Sequence, residues 1–360
     1  MSKVLVAAFL LFLLAGCVAP ARIIATATDS VATIEGVAAD LAGADVVALG
    51  ELHGVQAVHR THHQLVEALH ALRPNMVIAM EMFERDVQTS LLQYLTGAIS
   101  EAEFLAASRP WQRYARDYRP IIEFARLHHI TVLAANAPRE LAIEAKNLGV
   151  ERVLGSPYLA RSTTAPEDPY WDAFVDSMKG HAGLDGVGAM QRFYAAQCLK
   201  DDTMAESIVD YLRQHSGNPP LVVLICGRLH SDHGRGTVQR IRSRLPGVDV
   251  RVVSAELVED LASNSYSTTR DVADYVIVTP DPEGHGPQAE ITLTRPEAMG
   301  PGADGPAAAK SESAGGPPPR APGADQEERP ALGITPDYGR GEAGLCVGDV
   351  RPGGPAEAAG

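Results

Sequence analysis

Residues 46–63 read VVALGELHGVQAVHRTHH, an apolar run that ends in a glutamate and a histidine and continues into a histidine-rich segment. The run carries no polar side chain up to Gly50, as expected of a strand that is buried on both faces of a parallel sheet. The stretch therefore predicts a strand that leads into a helix, with Glu51 and His53 at the junction. These side chains form either a metal or cofactor site or an ordinary turn beside a solvated histidine face.

The same succession of an apolar run and an amphipathic segment recurs along the chain. The runs expected to form strands span 45–50, 76–80, 130–135 and 221–226. The segments expected to form helices span 55–72, 118–128, 138–148 and 187–214. This alternation predicts an α/β fold with a mostly parallel sheet flanked by helices. Residues 150–186, which contain three prolines and several aromatic residues, are expected to form a helical insertion beside the sheet.

The composition indicates a globular protein and argues against a nucleic-acid partner. With 360 residues, 45% of them apolar, the chain is long enough for one large core or for two domains. The formal net charge is -14, whereas binding to nucleic-acid phosphates needs a concentrated basic face. The sequence has no long cluster of lysine and arginine, so we expect no nucleic acid among its partners.

Residues 1–17, MSKVLVAAFLLFLLAGC, predict a lipoprotein signal peptide. One lysine precedes an apolar run that is too short to span a bilayer as a helix. The last four residues resemble a bacterial lipobox, which implies cleavage before Cys17, lipidation of that cysteine and anchoring in the cell envelope. Because the next residue is Val18 and not the aspartate associated with inner-membrane retention, the outer membrane is the expected location, with the protein facing the periplasm or the surface.

The remainder of the chain is expected to form an α/β domain over 21–290 and two further segments. Residues 296–330 are rich in proline, glycine and alanine, and they predict a disordered linker because they offer little apolar surface to bury. Residues 331–360 resemble the first part of a PDZ domain and are too few for a complete one. Cys198, Cys226 and Cys346 are far apart in sequence, which suggests free thiols and neither a disulfide framework nor a thiolate zinc site.

Polar side chains follow each of the four predicted strands. The carboxyl ends of parallel strands lie at one edge of a sheet, where ligands bind, so these side chains are expected to converge. They are Glu51 and His53 after the first strand, Glu81 after the second, Asn136 and Arg139 after the third, and Arg228 and His230 after the fourth.

Carboxylates and imidazoles are both metal ligands and general bases. One interpretation is a catalytic site in which His53, Glu81 and His230 hold a divalent transition metal and Glu51 activates water. The plainer alternative is that the two glutamates cap the following helices. We expect a functional and not a stabilising site, so that replacing His53 or His230 with alanine changes the unfolding free energy by no more than about 1 kcal/mol.

Four more histidines lie on the predicted helix 55–72. Helical spacing places them near one face, where they bind a metal, lie in solvent or form a helix-packing edge. They are His59, His62, His63 and His70.

Six motifs of this chain occur in a specific order along 23–260. They are GELH (50–53), EMF (81–83), WQRYARDYRPIIEFAR (111–126), AANAPRE (134–140), AAQCLKDDTMAESI (195–208) and CGRLHSDHG (226–234). In these motifs the chain resembles the ChaN-like family of haem-binding uptake lipoproteins. That family belongs to a superfamily with the Tiki metalloproteases and the erythromycin esterases. The superfamily shares two Gly-x-x-His strand ends and an intervening glutamate, here Gly50 to His53, Gly227 to His230, and Glu81.

The resemblance implies two functions that the residues alone do not separate. The ChaN-like branch implies binding of haem or an iron compound for uptake, by one chain or by a homodimer, and the Tiki branch implies metal-dependent hydrolysis. The resemblance also implies a haem-ligand tyrosine, for which the candidates are Tyr114, Tyr118 and Tyr158. Arg228 replaces a usually small residue and would pair with a haem propionate, with a substrate carboxylate or with Glu51.

Overall fold

The computed structural model describes residues 20–178, 187–261 and 271–280, and the backbone of two strands at 334–337 and 346–350. The chain divides into two units, of which the first comprises Met1–Gln288 with Asp337–Cys346 and the second Ala289–Pro336 with Val347–Gly360.

One eight-stranded sheet organises the first unit. Its strands are β1 (Arg22–Ala25), β2 (Ser30–Ala32), β3 (Val46–Glu51), β4 (Met76–Glu84), β5 (Thr131–Asn136), β6 (Leu221–Gly227), β7 (Val250–Val258) and β8 (Tyr275–Pro280). The order across the sheet is β2-β1-β8-β7-β3-β6-β4-β5. The six strands from β8 to β5 are parallel, and β1 is antiparallel to both of its neighbours. The predicted α/β fold with a mostly parallel sheet is therefore confirmed.

Ten α-helices accompany the strands in the described residues. They are α1 (Ile34–Leu41), α2 (Gln56–Leu72), α3 (Gln88–Leu95), α4 (Glu101–Ser108), α5 (Tyr114–Asp117), α6 (Arg119–Leu127), α7 (Arg139–Leu148), α8 (Pro169–Ser177), α9 (Val187–Gln214) and α10 (Gly236–Arg244). The four helices predicted from the sequence correspond to α2, α6, α7 and α9.

Helices cover both faces of the sheet. Alternate strand residues such as Val47 and Ile78 pack against α1 to α6, and the residues between them, such as Val46 and Val77, pack against α9 and α10. Successive side chains of a strand point to opposite faces. The central strands are therefore apolar throughout because both of their faces are buried.

The predicted helical insertion is only partly helical. Its start contains one short 3₁₀ turn, Val150–Arg152. The helix α8 begins at Pro169, where the carboxylate of Asp168 accepts hydrogen bonds from the backbone N–H groups of Tyr170 and Trp171. Residues 179–186 lie outside the described residues.

Several sequence-based predictions concern residues beyond the described part of the chain. The signal peptide 1–17, Cys17 and the linker 296–330 lie outside it. In the PDZ-like segment, Ile334–Asp337 and Cys346–Val350 pair as a two-stranded sheet, which does not by itself support a PDZ domain. Cys198 and Cys226 are buried free thiols. No helix within the described ranges has the length and apolar character needed to cross a membrane.

Candidate functional site

The site lies at the carboxyl ends of β3, β4 and β6. Glu51 is the last residue of β3 and is opposite Gly227, the last residue of β6. Glu81 does not follow its strand as the sequence predicted, because β4 continues past its last pair with β6, Met80 with Ile225, as far as Glu84. Both glutamates are about 1% exposed. The strand ends therefore place two buried carboxylates side by side.

The capping interpretation of the glutamates is wrong. Helix α2 begins after Val55, which provides no side-chain cap. The turn that follows β4 begins after Glu84, which also makes no capping hydrogen bond. The carboxylates of Glu51 and Glu81 instead point to histidines.

Glu51 accepts hydrogen bonds from two aromatic side chains. Its Oε1 lies 2.7 Å from His53 Nδ1 and 2.7 Å from the hydroxyl of Tyr118, which donates to it. Its Oε2 is 3.4 Å from His59 Nδ1. Burial by itself raises the pKa of Glu51, but His59 and His53 outweigh it and hold that pKa below its usual value. Glu51 is therefore an anion that orients three rings.

His53 is the member of this group that reaches the surface, with 14% of its side chain exposed. The edge of its ring packs against Trp111 at a centroid distance of 5.2 Å. On the other side, a Cβ at Gly227 would lie only 2.9 Å from His53 Nε2. The absence of a side chain at residue 227 thus allows the end of β6 to approach the imidazole.

A second group of buried charged side chains consists of Glu81, His230 and Asp201. His230 Nδ1 lies 2.7 Å from Asp201 Oδ1, and His230 Nε2 lies 3.2 Å from Glu81 Oε1. Burial disfavours the imidazolium, but Glu81 and Asp201 offset it and raise the pKa of His230 to about 10. Burial likewise opposes the charged forms of the two carboxyls, yet both keep a lowered pKa beside His230. His230 is accordingly a buried cation between two anions.

Asp201 and Glu81 are held by further donors. Asp201 accepts from the hydroxyls of Tyr170, at 2.8 Å, and Thr237, at 2.7 Å. Glu81 Oε2 accepts from the backbone N–H of Gly227 at 2.7 Å. These contacts and those to His230 give Asp201 three partners and Glu81 two, so both carboxylates are held in place by more than one donor.

The predicted metal ligands do not fit a metal in this arrangement. Both nitrogens of His230 face carboxylates, and Glu81 Oε2 already accepts from the Gly227 backbone. Within the described residues, no group of three or more His, Cys, Asp or Glu side chains is arranged to hold an ion.

The other residues that were expected to bind a ligand contact different parts of the protein. Asn136 donates to the carbonyl of Glu81 at 3.0 Å and so fixes the end of β4. Arg139 lies 3.8 Å from Glu84 at the opening of the site. Arg228 does not pair with Glu51, because its guanidinium donates to the Ala255 carbonyl at 3.0 Å and lies near Asp232.

The three candidate tyrosines differ in accessibility. Tyr118 is 3% exposed, and burial together with Glu51 raises its pKa well above the usual value. Tyr114 is 5% exposed, with a buried hydroxyl that has no hydrogen-bond partner. Tyr158 is 45% exposed. The structure therefore places Tyr118 in the site and Tyr114 in the core.

The histidines of α2 do not form one solvated face. His59 and His62 are buried, whereas His63 and His70 pack edge-on against Phe124 at the surface. His59 accepts from the Gly54 N–H at 3.2 Å. His62 is fully buried, neither of its ring nitrogens has a partner, and burial lowers its pKa to about 3.

Sequence reasoning missed Asp201 and underrated His59. Asp201 lies on α9 and not at a strand end, which is why a search along strand ends does not find it. The signal that could have revealed it is helical spacing, since Asp201 shares a face with Met204, Ala205 and Ile208 of the apolar core. A charged residue on that face requires a buried partner.

The chain is similar to a known protein family and to a solved structure. The chain matches the family model described as haem-binding uptake, Tiki superfamily, ChaN over residues 37–241, more than half of its length. None of the curated proteins matches it. A solved structure described as cofacial heme binding to ChaN of Campylobacter jejuni has a TM-score of 0.54 and 19% identity, covering 72% of this chain and 97% of that chain.

Weaker similarities extend to proteins of other functions. An erythromycin esterase, EreC, in its open conformation shows 13% identity and a TM-score of 0.37, with 67% of this chain and 77% of that one covered. RRSP, a MARTX toxin effector domain from Vibrio vulnificus, shows 18% identity and a TM-score of 0.36, with 64% and 37% covered. Because the family model spans more than half of the chain and includes the site residues, the chain belongs to the ChaN family of haem-binding uptake proteins in the Tiki superfamily.

Proposed function

We propose that this protein binds haem at the carboxyl edge of its sheet and serves iron uptake from the cell envelope. The observation that carries the proposal is the pair formed by Glu51 and His53. It presents an oriented imidazole, with 14% of the side chain exposed, next to Trp111. Bound haem would supply the iron that this imidazole ligates.

The neighbours of His53 suit it for holding iron. A histidine that ligates a metal usually donates its other ring N–H to a carboxylate, which fixes the ring and makes the ligating nitrogen more basic. His53 Nδ1 is 2.7 Å from Glu51, the kind of carboxylate contact that fixes such a ring, and the proposal assigns the iron to the other ring nitrogen, Nε2. Imidazole is also a common axial ligand of haem iron.

The buried tyrosines are less suited to this task. A phenol must lose its proton to bind iron as tyrosinate, and burial raises the pKa of both Tyr114 and Tyr118. The hydroxyl of Tyr118 also donates to Glu51, so its role in the proposal is to hold the carboxylate that orients His53.

A homodimer forms part of the proposal. The relative from Campylobacter jejuni is described as binding heme cofacially, and a second copy of this chain would cover a ring that lies on the sheet edge. The clefts that the described residues form at this edge, of about 20 and 10 Å³, are too small to enclose a porphyrin.

Replacing His53 with alanine is expected to weaken haem binding at least about tenfold, because the ligand of the iron is lost while Glu51 and Tyr118 stay in place. Absorbance titration of the purified protein with hemin measures this, and the parent should show a saturable shift of the Soret band. The matched control is His63→Ala on the exposed side of α2, which should titrate like the parent. Equal affinity of His53→Ala and the parent would remove His53 from the role of ligand, and absence of any saturable shift in the parent would contradict the function.

The lipid anchor is proposed on the sequence of the first seventeen residues. Replacing Cys17 with serine should release the protein from the membrane fraction, since acyl chains on that cysteine provide the proposed attachment. Fractionation after a high-salt wash measures the outcome, and a variant that still sediments with membranes would contradict a lipid anchor at Cys17.

A second candidate function is hydrolysis in which His53 acts as a general base. The Glu51–His53 pair favours it, because a carboxylate that orients an imidazole is the usual arrangement for removing a proton from water. The metal-dependent form of this alternative gains no support from the donor geometry of Glu81 and His230. Hydrolysis of simple ester substrates by the parent that disappears in His53→Ala would favour this candidate over haem binding.

A further inference from the structure

Two small clefts, of about 20 and 10 Å³, lie beside the proposed haem site and share one lysine. The first is lined by Glu84, Trp111, Asn136 and Arg139, and the second by Lys146, Phe193 and Gln197. Lys200 of α9 lines both of them. The residue is only 7% exposed, so nearly all of its side chain is enclosed by the protein.

The linings of the clefts contact the proposed site directly. Trp111 packs on His53, Asn136 donates to the carbonyl of Glu81, and the amide nitrogen of Gln197 lies 3.1 Å from His230 Nε2. The pKa of Glu81 is lowered although burial opposes this, mainly because of His230, and Lys200 is close enough to contribute in the same direction. A ligand held at His53 would therefore extend over these clefts.

The residues that line the clefts include more cations than carboxylates, in an acidic protein. Three cationic side chains, Arg139, Lys146 and Lys200, line them against one carboxylate, Glu84. That carboxylate is already bound by Arg109 at 2.7 Å, whereas Arg139 is at the longer distance of 3.8 Å. Although the whole chain has a net charge of -14, cations therefore outnumber carboxylates among the residues that line these clefts.

We propose that Lys200 and Arg139 bind a carboxylate of the ligand, so that the site selects apolar ring compounds that carry acidic side arms. Arginine and lysine recognise carboxylates through charge-assisted hydrogen bonds. Trp111 and Phe193 lie beside the two cations and offer aromatic surface to the apolar part of such a ligand. The proposal rests on the proposed function, in which the carboxylate is a propionate of haem.

The test compares haem with its dimethyl ester, in which both propionates are neutral, in detergent solution and by absorbance titration. The parent should bind haem at least about tenfold more tightly than the ester, as expected for the loss of a charge-assisted hydrogen bond. Lys200→Met should weaken haem binding by a similar factor and leave the affinity for the ester unchanged. Lys200→Arg should retain the preference for haem.

Two further variants make the result specific. Arg139→Met, at a more exposed position, should also reduce the preference for haem over its dimethyl ester. It replaces Lys200→Met in the test if that variant does not fold. Arg213→Met removes a cation from the same helix about 20 Å away and should change nothing. Equal binding of haem and ester by the parent, or an unaltered preference in both methionine variants, would overturn this proposal alone. Failure of the parent to bind either compound would overturn the proposed function and this inference with it.

Discussion

Replacing His230 with alanine is expected to lower the free energy of unfolding by about 3–5 kcal/mol, the usual cost of removing one partner from a buried ion pair. The imidazolium lies between Asp201 at 2.7 Å and Glu81 at 3.2 Å. Its removal leaves two buried carboxylates beside each other without a cation between them. From the sequence we expected the loss of His230 to change the unfolding free energy by no more than about 1 kcal/mol. The contacts of His230 in the structure lead us to expect a larger loss.

Urea unfolding of the parent and of His230→Ala measures this difference at neutral pH. His63→Ala is the control, because 27% of its side chain is exposed and surface substitutions usually change stability by less than about 0.5 kcal/mol. A loss below about 1 kcal/mol in His230→Ala would show that the Asp201–His230–Glu81 chain is not a stabilising ion network.

Stability is expected to be greatest near pH 6.5 and to decrease on both sides. The pKa of His230 is raised to about 10, so its contribution is complete below about pH 6.5 and is lost as the pH rises towards 10. The pKa of His62 is lowered to about 3. Below about pH 6.5 the imidazole of the unfolded chain takes up a proton while the buried His62 stays neutral, so the free energy of unfolding decreases as the pH falls. Each proton contributes a slope of up to about 1.4 kcal/mol per pH unit.

The variant His62→Leu tests the acidic side of this dependence of stability on pH separately from the alkaline side. Leucine fills the buried position without the two unpartnered nitrogens of the imidazole, and it cannot take up a proton. Denaturant unfolding between pH 5 and pH 9 should therefore show a flatter acidic side in this variant and an unchanged alkaline side. An acidic slope as steep as that of the parent would contradict a neutral, buried His62.

The sequence predicts the central part of the fold because β3, β4, β5 and β6 are buried on both faces and are apolar throughout. Their bounds differ from the expected ones by one residue or less, except at the end of β4, which extends to Glu84. The antiparallel strand β1 and the edge strand β2 have four and three residues, too few to give a periodic signal. The strand β1 depends on pairing with β8, where Ala25 is opposite Tyr275, 250 positions away in sequence, and β2 in turn pairs with β1.

The site was predictable only where it depends on strand ends. Glu51, His53, Glu81 and His230 converge because parallel strands end at one edge, and this holds although Glu81 lies within its strand. Asp201 enters from a helix, and its position depends on how α9 packs on the sheet. The guanidinium of Arg228 turns towards the Ala255 carbonyl of β7, a contact that strand-end spacing does not define.

A crystal structure of the haem-loaded protein would show where the iron is held. We expect the iron bonded to His53 Nε2 at the carboxyl edge of the sheet, with a propionate at Lys200 and Arg139. A larger groove of about 690 Å³ lies elsewhere, lined by His63, Phe124 and His129, and it is wide enough to compete for a porphyrin. Haem bound in that groove, with His53 free of iron, would contradict the account.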